Sequence, residues 1–204
     1  IIFECLNKIR DELKEHFPYK VLNVYGCEAD DIIATLIKSG QLDNNTLIVS
    51  SDKDFIQLHG IHVNQYSPVS KKIINGKDPI LYLREHIIRG DRSDGVPNVM
   101  SADDTFVSDK RQKPIRKATV SNLMEAMNKW EPEQLFQLAK CSRDTWVRNW
   151  QRNERLIDLG KIPTDIMKSV NKEFNEVKIA DRSKLFNYFL DNKLDKLMDT
   201  IGDF

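Results

Sequence analysis

The apolar positions of the first ninety residues follow helical and strand-like patterns in turn. Apolar side chains recur at three- and four-residue spacing over residues 2–17, which predicts an amphipathic helix that ends before Pro18. Similar stripes predict helices over 29–37 and 79–88. The last of these is expected to begin with Asp78 as its N-cap.

Four shorter runs are typical of strands. Residues 19–25 are rich in aromatic and β-branched side chains, and 46–49, 61–66 and 71–74 form further strand-like runs, the last followed by a turn at 75–76. Because the first two predicted strands flank a helix, we expect a right-handed βαβ unit and a parallel sheet.

The pattern changes after Gly90, where no further strand is predicted. The sequence therefore predicts an α/β fold with a mostly parallel sheet flanked by helices, followed by an α-helical C-terminal region. We expect a boundary between residues 1–90 and 91–204. The later helices are predicted at 118–130, 132–140, 144–159 and 184–201.

Composition narrows the class of protein. With 40% apolar and 30% charged residues the chain is too apolar for a disordered protein, and no apolar run is long enough to span a membrane. Its three cysteines, Cys5, Cys27 and Cys141, are widely spaced, which argues against a disulfide framework or a zinc site. We expect a soluble monomer of the cytoplasm, in the host cell if a phage encodes it.

The overall charge is balanced, with 31 basic and 31 acidic residues, but its distribution is uneven. Residues 28–54 carry six acids against two lysines, whereas residues 110–130 carry six bases against one acid. An acidic centre and a basic region therefore coexist in a neutral chain.

Three acidic clusters account for the acidic centre and extend beyond it. Each has an ordinary explanation: acids in the first turn of a helix, an N-cap within a solvated turn, and a polar connection between helices. The clusters are Glu28-Ala29-Asp30-Asp31, Ser50-Ser51-Asp52-Lys53-Asp54 and Gly90-Asp91-Arg92-Ser93-Asp94-Gly95.

Taken together, the clusters predict a metal site. The first two follow predicted strands, and ligands bind outside the carboxyl ends of strands in an open parallel sheet. Grouped carboxylates repel unless a cation neutralises them, and oxygen ligands without His or Cys select Mg²⁺ or Mn²⁺. Two such ions are the usual arrangement for phosphodiester hydrolysis.

Each acidic cluster contains a short motif: the first, Glu-Ala-Asp-Asp, opens a helix, the second, Ser-Asp-Lys-Asp, follows a strand, and the third, Gly-Asp-x-x-Asp, precedes a helical region. In this order the three acidic motifs resemble those of the 5′→3′ exonuclease and flap endonuclease family. Within that family the chain is most similar to the RNase H branch of T-even bacteriophages, and it matches roughly the C-terminal two thirds of such proteins. The resemblance implies a Mg²⁺-dependent enzyme that removes RNA primers and 5′ flaps during replication.

The resemblance also implies roles for individual residues. Asp30, Asp31, Asp52 and Asp54 are the implied catalytic residues. The implied ligands of two divalent ions, Mg²⁺ or alternatively Mn²⁺, are Glu28, Asp30, Asp31, Asp52, Asp54, Asp91 and Asp94.

Two departures from the family pattern change what we expect. Residues 99–104 contain no glycine, where cellular members have a Gly-x-Gly turn that grips the duplex, so the family's potassium site is not expected. The N-terminal third of the family domain is not expected in this chain. Duplex contact is expected instead from the basic segment, defined here as residues 110–117, through Lys110, Arg111, Lys113, Arg116 and Lys117.

The expected partners are an RNA–DNA hybrid, a 5′ flap or forked DNA, with a single-strand-binding protein or sliding clamp as candidate protein partners and no membrane. One alternative is a catalytically silent module that binds branched DNA or a replication partner. A second is a Toprim-type metal domain, against which the Gly-Asp-x-x-Asp element argues. The four histidines, including His86, are expected to be structural or exposed, and Trp146 and Trp150 to share one helix face.

Overall fold

The computed structural model describes residues 1–42, 45–75, 78–108 and 110–204. The turn predicted at 75–76 and the acidic residue Asp43 fall wholly or partly outside them. A small sheet contains β1 (Thr46–Val49), β2 (Val63–Ser67) and β3 (Lys72–Ile73) in that order. Strand β1 pairs with β2 in parallel, whereas β3 pairs with β2 in antiparallel fashion.

A 3-10 helix, Lys53–Leu58, lies in the crossover between the two parallel strands. Parallel neighbours need a connection of about a dozen residues, and residues 50–62 supply it. Ile48 of β1 and Phe55 of the 3-10 helix are both buried in one apolar cluster, which holds the crossover against the sheet. The crossover therefore leaves β1 at the carboxyl edge, where the second acidic cluster begins.

Nine α-helices account for most of the rest of the described chain. Most begin and end close to the predicted positions. Their bounds are α1 Ile2–His16, α2 Ala29–Lys38, α3 Pro79–Arg89, α4 Lys117–Asn128, α5 Pro132–Ala139, α6 Arg143–Ile157, α7 Thr164–Glu176, α8 Lys184–Asp191 and α9 Asp195–Met198.

The described chain forms two compact units, one of residues 29–163 and one of residues 1–28 with 164–204. In the first, α3 to α6 and the loop after α3 surround a core that includes Val99, Leu123 and Trp146. The rings of Trp146 and Trp150 stack with centroids 6.1 Å apart, so the prediction of a shared face is confirmed. The boundary predicted between residues 1–90 and 91–204 concerns the functional parts of the chain, and it stays a prediction.

The second unit has a core of its own. Phe17, Leu185 and Phe189 are buried together, where the end of α1 meets α8. The single helix predicted over 184–201 is wrong, because α8 ends at Asp191 and a short α9 and a 3-10 helix at Ile201–Asp203 follow. Lys193 between α8 and α9 has a φ of 54°, a left-handed conformation that interrupts a helix.

Two further sequence predictions are wrong. Residues 19–25 are not a strand, so the βαβ unit built on them is absent from the described chain. A strand-like composition is not enough to form a strand, because a strand needs a neighbouring strand to pair with. This segment instead lies along α7, where Lys20 Nζ donates to the Phe174 carbonyl at 2.6 Å. Helix α7 itself was not predicted.

The predicted fold class is confirmed, since an α/β part with a parallel strand pair precedes a part in which the described residues form helices and isolated bridges only. None of the described helices is long and apolar enough to cross a membrane.

Candidate metal centre

The second acidic cluster lies at the carboxyl edge of β1, as predicted. Asp52 is the N-cap of the 3-10 helix, and its side chain accepts a hydrogen bond from Asp54 N at 3.0 Å. The Asp52 backbone N–H in turn donates to Ser50 Oγ at 3.1 Å. The turn therefore fixes its own backbone while Asp54 is carried into the 3-10 helix.

A buried glutamine supports this turn from the neighbouring strand. Gln65 of β2 is fully buried, and its Nε2 donates to the carbonyl oxygens of Ser50, at 2.9 Å, and Asp52. Its Oε1 lies 2.9 Å from His59 Nε2. A buried amide with this many partners is costly to replace, so Gln65 defines the path of the acidic turn. The sequence prediction did not include Gln65 in the site.

The third acidic cluster forms a tight turn after α3. Gly90 is the C-cap of α3, and Val96 N donates to the Asp91 carbonyl at 2.6 Å to close the turn that follows. Asp91 Oδ1 accepts from the backbone N–H and the hydroxyl of Ser93 and from Asp94 N. The Asp91 carboxylate therefore stabilises the turn that carries Asp94.

The fold brings these two clusters together. One carboxylate oxygen from each of Asp54, Asp91 and Asp94 lies within 4.8 Å of the other two. We call these three residues the acidic cluster. They come from the crossover after β1 and from the turn after α3, which are far apart in sequence. An oxygen-only set of this kind fits a hard divalent cation such as Mg²⁺ or Mn²⁺.

The first acidic motif divides between the two compact units. Asp30 and Asp31 lie in the first turn of α2 and are half-buried. Glu28 is exposed and is the last residue of the segment 1–28, which belongs with residues 164–204 to the other unit. Burial raises the pKa of Asp30, and the charges of Asp31 and Asp52 add to that rise. The first and second motifs therefore share one negative field.

The same field acts on other groups of the site. Burial, and then the charges of Asp91, Asp54 and Asp52, raise the pKa of Asp94. Burial and the charges of Asp54, Asp52 and Asp91 also raise the pKa of the Tyr82 hydroxyl. Carboxylates that raise one another's pKa in this way are stabilised when a cation binds among them.

His86 is a site residue that the sequence prediction did not include. It lies in the last turn of α3, with Nε2 3.2 Å from Asp91 Oδ2 and Nδ1 3.2 Å from Asp54 Oδ1. Burial lowers the pKa of His86, but the contacts with Asp54 and Asp91 outweigh it, so that the pKa is raised. For Asp91, burial is outweighed by the Ser93 and His86 hydrogen bonds, which lower its pKa. The five-residue separation of His86 and Asp91 across a helix end is the one sequence signal for this contact.

The lysine and arginine side chains of the basic segment are exposed, and the segment is held in place mainly through its backbone and Gln112. Asn98 accounts for two of the contacts, since its Nδ2 donates to the Lys113 carbonyl at 2.8 Å and its backbone N–H donates to Gln112 Oε1 at 2.9 Å. Lys113 N donates to Ser101 Oγ at 2.9 Å. Lys110 forms an ion pair with Asp104, whereas Arg116 and Lys117 lie at the start of α4. All five predicted DNA-binding side chains are exposed.

The chain matches two known protein families, which together cover almost all of its length. Residues 78–204 match the family described as T4 RNase H, C terminal, and residues 4–83 match the 5′-3′ exonuclease, N-terminal resolvase-like domain. The ribonuclease H of Enterobacteria phage T4 is 32% identical over 209 residues, which cover 99% of this chain and 66% of that protein. The chain thus spans just under two thirds of this relative.

A second curated relative is shorter in its match. The flap endonuclease Xni of Shewanella oneidensis is 31% identical over 98 residues, covering 43% of this chain and 38% of that protein. Both relatives are named as nucleases.

Solved structures show the same fold at low identity. The 5′-exonuclease of bacteriophage T5 with bound zinc ions superposes with a TM-score of 0.55 at 21% identity, covering 86% of this chain and 68% of that one. A complex of the T5 flap endonuclease with DNA and metal ions gives a TM-score of 0.53 at 18% identity, covering 76% and 61%. The resemblance inferred from the acidic motifs is confirmed, and the chain belongs to the T4 RNase H family of 5′→3′ exonucleases and flap endonucleases.

Proposed function

We propose that this chain carries the catalytic centre of a Mg²⁺-dependent 5′ nuclease. It would hydrolyse phosphodiesters at the 5′ ends of RNA–DNA hybrids, flaps or nicked duplex, as in the removal of RNA primers. The observation that carries the proposal is the meeting of Asp54, Asp91 and Asp94 within 4.8 Å, because it joins two separate family motifs in one oxygen-lined site.

In this proposal seven carboxylates hold two divalent ions, and the three of the acidic cluster lie close enough together to share one ion. The seven residues are Glu28, Asp30, Asp31, Asp52, Asp54, Asp91 and Asp94. Bound Mg²⁺ would supply a hydroxide nucleophile and neutralise charge on the attacking and leaving oxygens. Mn²⁺ offers the same coordination chemistry. The chain's own part is to hold the carboxylates in fixed turns: Gln65 fixes the backbone around Asp52, and Ser93 fixes Asp91. Asp30, Asp31, Asp52 and Asp54 are the proposed catalytic residues.

We propose that the basic segment binds the substrate backbone. Lys113, Arg116 and Lys117 are exposed, as are Lys110 and Arg111, and phosphate contacts of this type give affinity without sequence readout. The proposed substrate is therefore an RNA–DNA hybrid, a 5′ flap or forked DNA. A single-strand-binding protein or sliding clamp, a monomeric state and a cytoplasmic location remain proposals from the family resemblance.

The division at residue 90 is also a proposal about function. Residues 1–90 would supply the first two acidic motifs, and residues 91–204 would supply the basic segment together with Asp91 and Asp94. The acidic cluster would then lie at the junction of the two parts.

A second candidate is a binding module for branched DNA that does not cleave it. It is favoured by the basic segment, whose contacts to Asn98 and Ser101 involve none of the acidic cluster. In that case binding of a flap would be unaffected by divalent ions and by loss of Asp54.

The test is cleavage of a 5′-labelled flap and a 5′-labelled RNA–DNA hybrid, with Mg²⁺ and with EDTA. We expect short labelled products that form only with Mg²⁺. Asp54→Asn or Asp52→Asn should lower the rate of cleavage by more than about 100-fold, the upper end of what the loss of an outer-shell partner costs. Asp191→Asn, at an exposed position of α8, is the matched control. Retained flap binding without any cleavage by the unaltered chain would favour the binding module instead.

A further inference from the structure

His86 lies where the two separate segments that carry the acidic cluster meet. It projects from the last turn of α3, with only 12% of its side chain exposed. Its two ring nitrogens approach two different carboxylates, Asp54 from the crossover after β1 and Asp91 from the turn after α3. A single rigid ring therefore spans the second and third acidic motifs.

The two contacts of the ring differ in geometry. Nε2 and Asp91 Oδ2 form a hydrogen bond of 3.2 Å. Nδ1 also lies 3.2 Å from Asp54 Oδ1, but this contact is an ion pair without hydrogen-bond geometry, and Nδ1 has no hydrogen-bond partner among the described residues. The ring thus holds Asp91 directly and keeps Asp54 at a fixed distance.

Asp91 is restrained from both sides. Its Oδ2 faces His86, while its Oδ1 accepts from the backbone N–H of Ser93 at 2.8 Å. A carboxylate with both oxygens engaged cannot rotate freely, so the direction in which it faces Asp54 and Asp94 is set before any ion arrives.

The ring itself is held by the helix that carries it. Ile87 and Ile88, the next two residues of α3, are buried, and the Tyr82 ring lies one turn earlier with its centroid 5.7 Å from that of His86. An exposed ion pair would cost or contribute little, but this one is mostly removed from water and attached to a fixed element. His86 is therefore fixed in position beside the two carboxylates, unlike a residue of an exposed ion pair.

We propose that His86 is a positioning residue that holds Asp54 and Asp91 at the spacing a divalent ion requires, and so couples the second and third acidic motifs. The inference deepens the proposed function and rests on it. Outer-shell partners that orient metal ligands are worth about 10–100-fold in metal affinity, and His86 is expected to fall in that range.

The test is a calorimetric titration of the full chain with Mn²⁺. His86→Phe keeps an aromatic ring but removes both nitrogens, and we expect it to weaken Mn²⁺ binding by about 10–100-fold. His86→Gln restores one donor toward Asp91, and its loss of affinity should be smaller. His62→Gln, at an exposed position outside the site, is the matched control and should bind as the unaltered chain does.

A second readout separates positioning from packing. The thermal midpoint measured in EDTA reports the stability of the fold without metal, and His86→Gln, which can still donate to Asp91, should leave it close to that of the unaltered chain. In cleavage assays the Mg²⁺ concentration for half-maximal rate should rise by the same factor as the Mn²⁺ dissociation constant, with a smaller change in the rate at saturating Mg²⁺. If His86→Phe fails to fold, His86→Gln decides the question.

Each contrary result has a distinct meaning. If Asp54→Asn abolishes Mn²⁺ binding but both His86 variants bind as the unaltered chain does, the positioning role is wrong and the proposed function stands. Tighter binding by the variants would also overturn it, because the ring would then compete with the ion for the carboxylates. If the unaltered chain binds no Mn²⁺, the proposed metal centre is wrong as well.

Discussion

The acidic cluster and the basic segment both concentrate charge, but the chain builds them in opposite ways. Asp54 and Asp91 are half-buried and supported by His86, Ser93 and the 3-10 helix, in spite of their mutual repulsion. The basic side chains are exposed, and Asn98 and Ser101 fix their segment mainly through its backbone and Gln112. A metal ion requires fixed ligand positions, whereas a phosphate backbone requires mainly a positive field.

This comparison predicts that a small backbone change should damage the acidic cluster severely. Gly90 has a φ of 65° and a ψ of 179°, a region that is essentially restricted to glycine, and an added Cβ would overlap the Val96 carbonyl oxygen. We expect Gly90→Ala to lower the free energy of unfolding by more than about 3 kcal/mol and to abolish metal binding.

Gly95, in the same turn, is the matched control for that change. Its φ is 73°, but nothing lies within 4 Å of an added Cβ. Gly95→Ala should therefore cost only the strain of a left-handed residue, about 1–2 kcal/mol. Urea denaturation of the two variants in EDTA measures the difference. Equal losses would contradict the view that the close approach of Val96 fixes this turn.

The basic segment should respond gradually to mutation. Lys113→Glu and Arg116→Glu should each weaken flap binding and lower the slope of log affinity against log salt by about 0.9 if each side chain neutralises one phosphate. Lys110→Glu should matter less, because Lys110 is already paired with Asp104. Fluorescence anisotropy over a range of salt concentrations measures these effects.

Lys168→Glu, at an exposed position of α7, changes the net charge by the same amount outside the basic segment. If it weakens binding as much as Arg116→Glu does, the protein responds to total charge, and the basic segment is not the contact surface.

Local patterns in the sequence predicted most of the helices, because apolar spacing, Asp78 and Gly90 act within a few residues. They did not determine strand pairing. Residues 19–25 have strand composition but no ladder, since a strand exists only with a partner. Helix α7 was missed although Ile166, Val170 and Phe174 recur at helical spacing, so there the signal was present.

The site was predictable to a similar extent. The acidic motifs singled out Asp54, Asp91 and Asp94, which the fold brings together, and whose role as metal ligands stays a proposal. Asp54 follows the carboxyl end of β1, as expected from the rule that ligands lie at the carboxyl ends of strands. The same rule failed for Asp30, which follows no strand. Gln65 could not be predicted, because its contacts depend on packing between separate elements, and the same holds for the contact of His86 with Asp54. The contact of His86 with Asp91 is local, and the five-residue spacing was its only sequence signal.

The proposed function depends above all on the acidic cluster being a divalent metal centre. The most direct measurement is anomalous diffraction from crystals of this chain soaked in Mn²⁺. We expect a strong anomalous peak among the carboxylates of Asp54, Asp91 and Asp94, which Asp91→Asn weakens or removes. An ordered chain with no peak at these carboxylates, or with peaks only elsewhere, would contradict it.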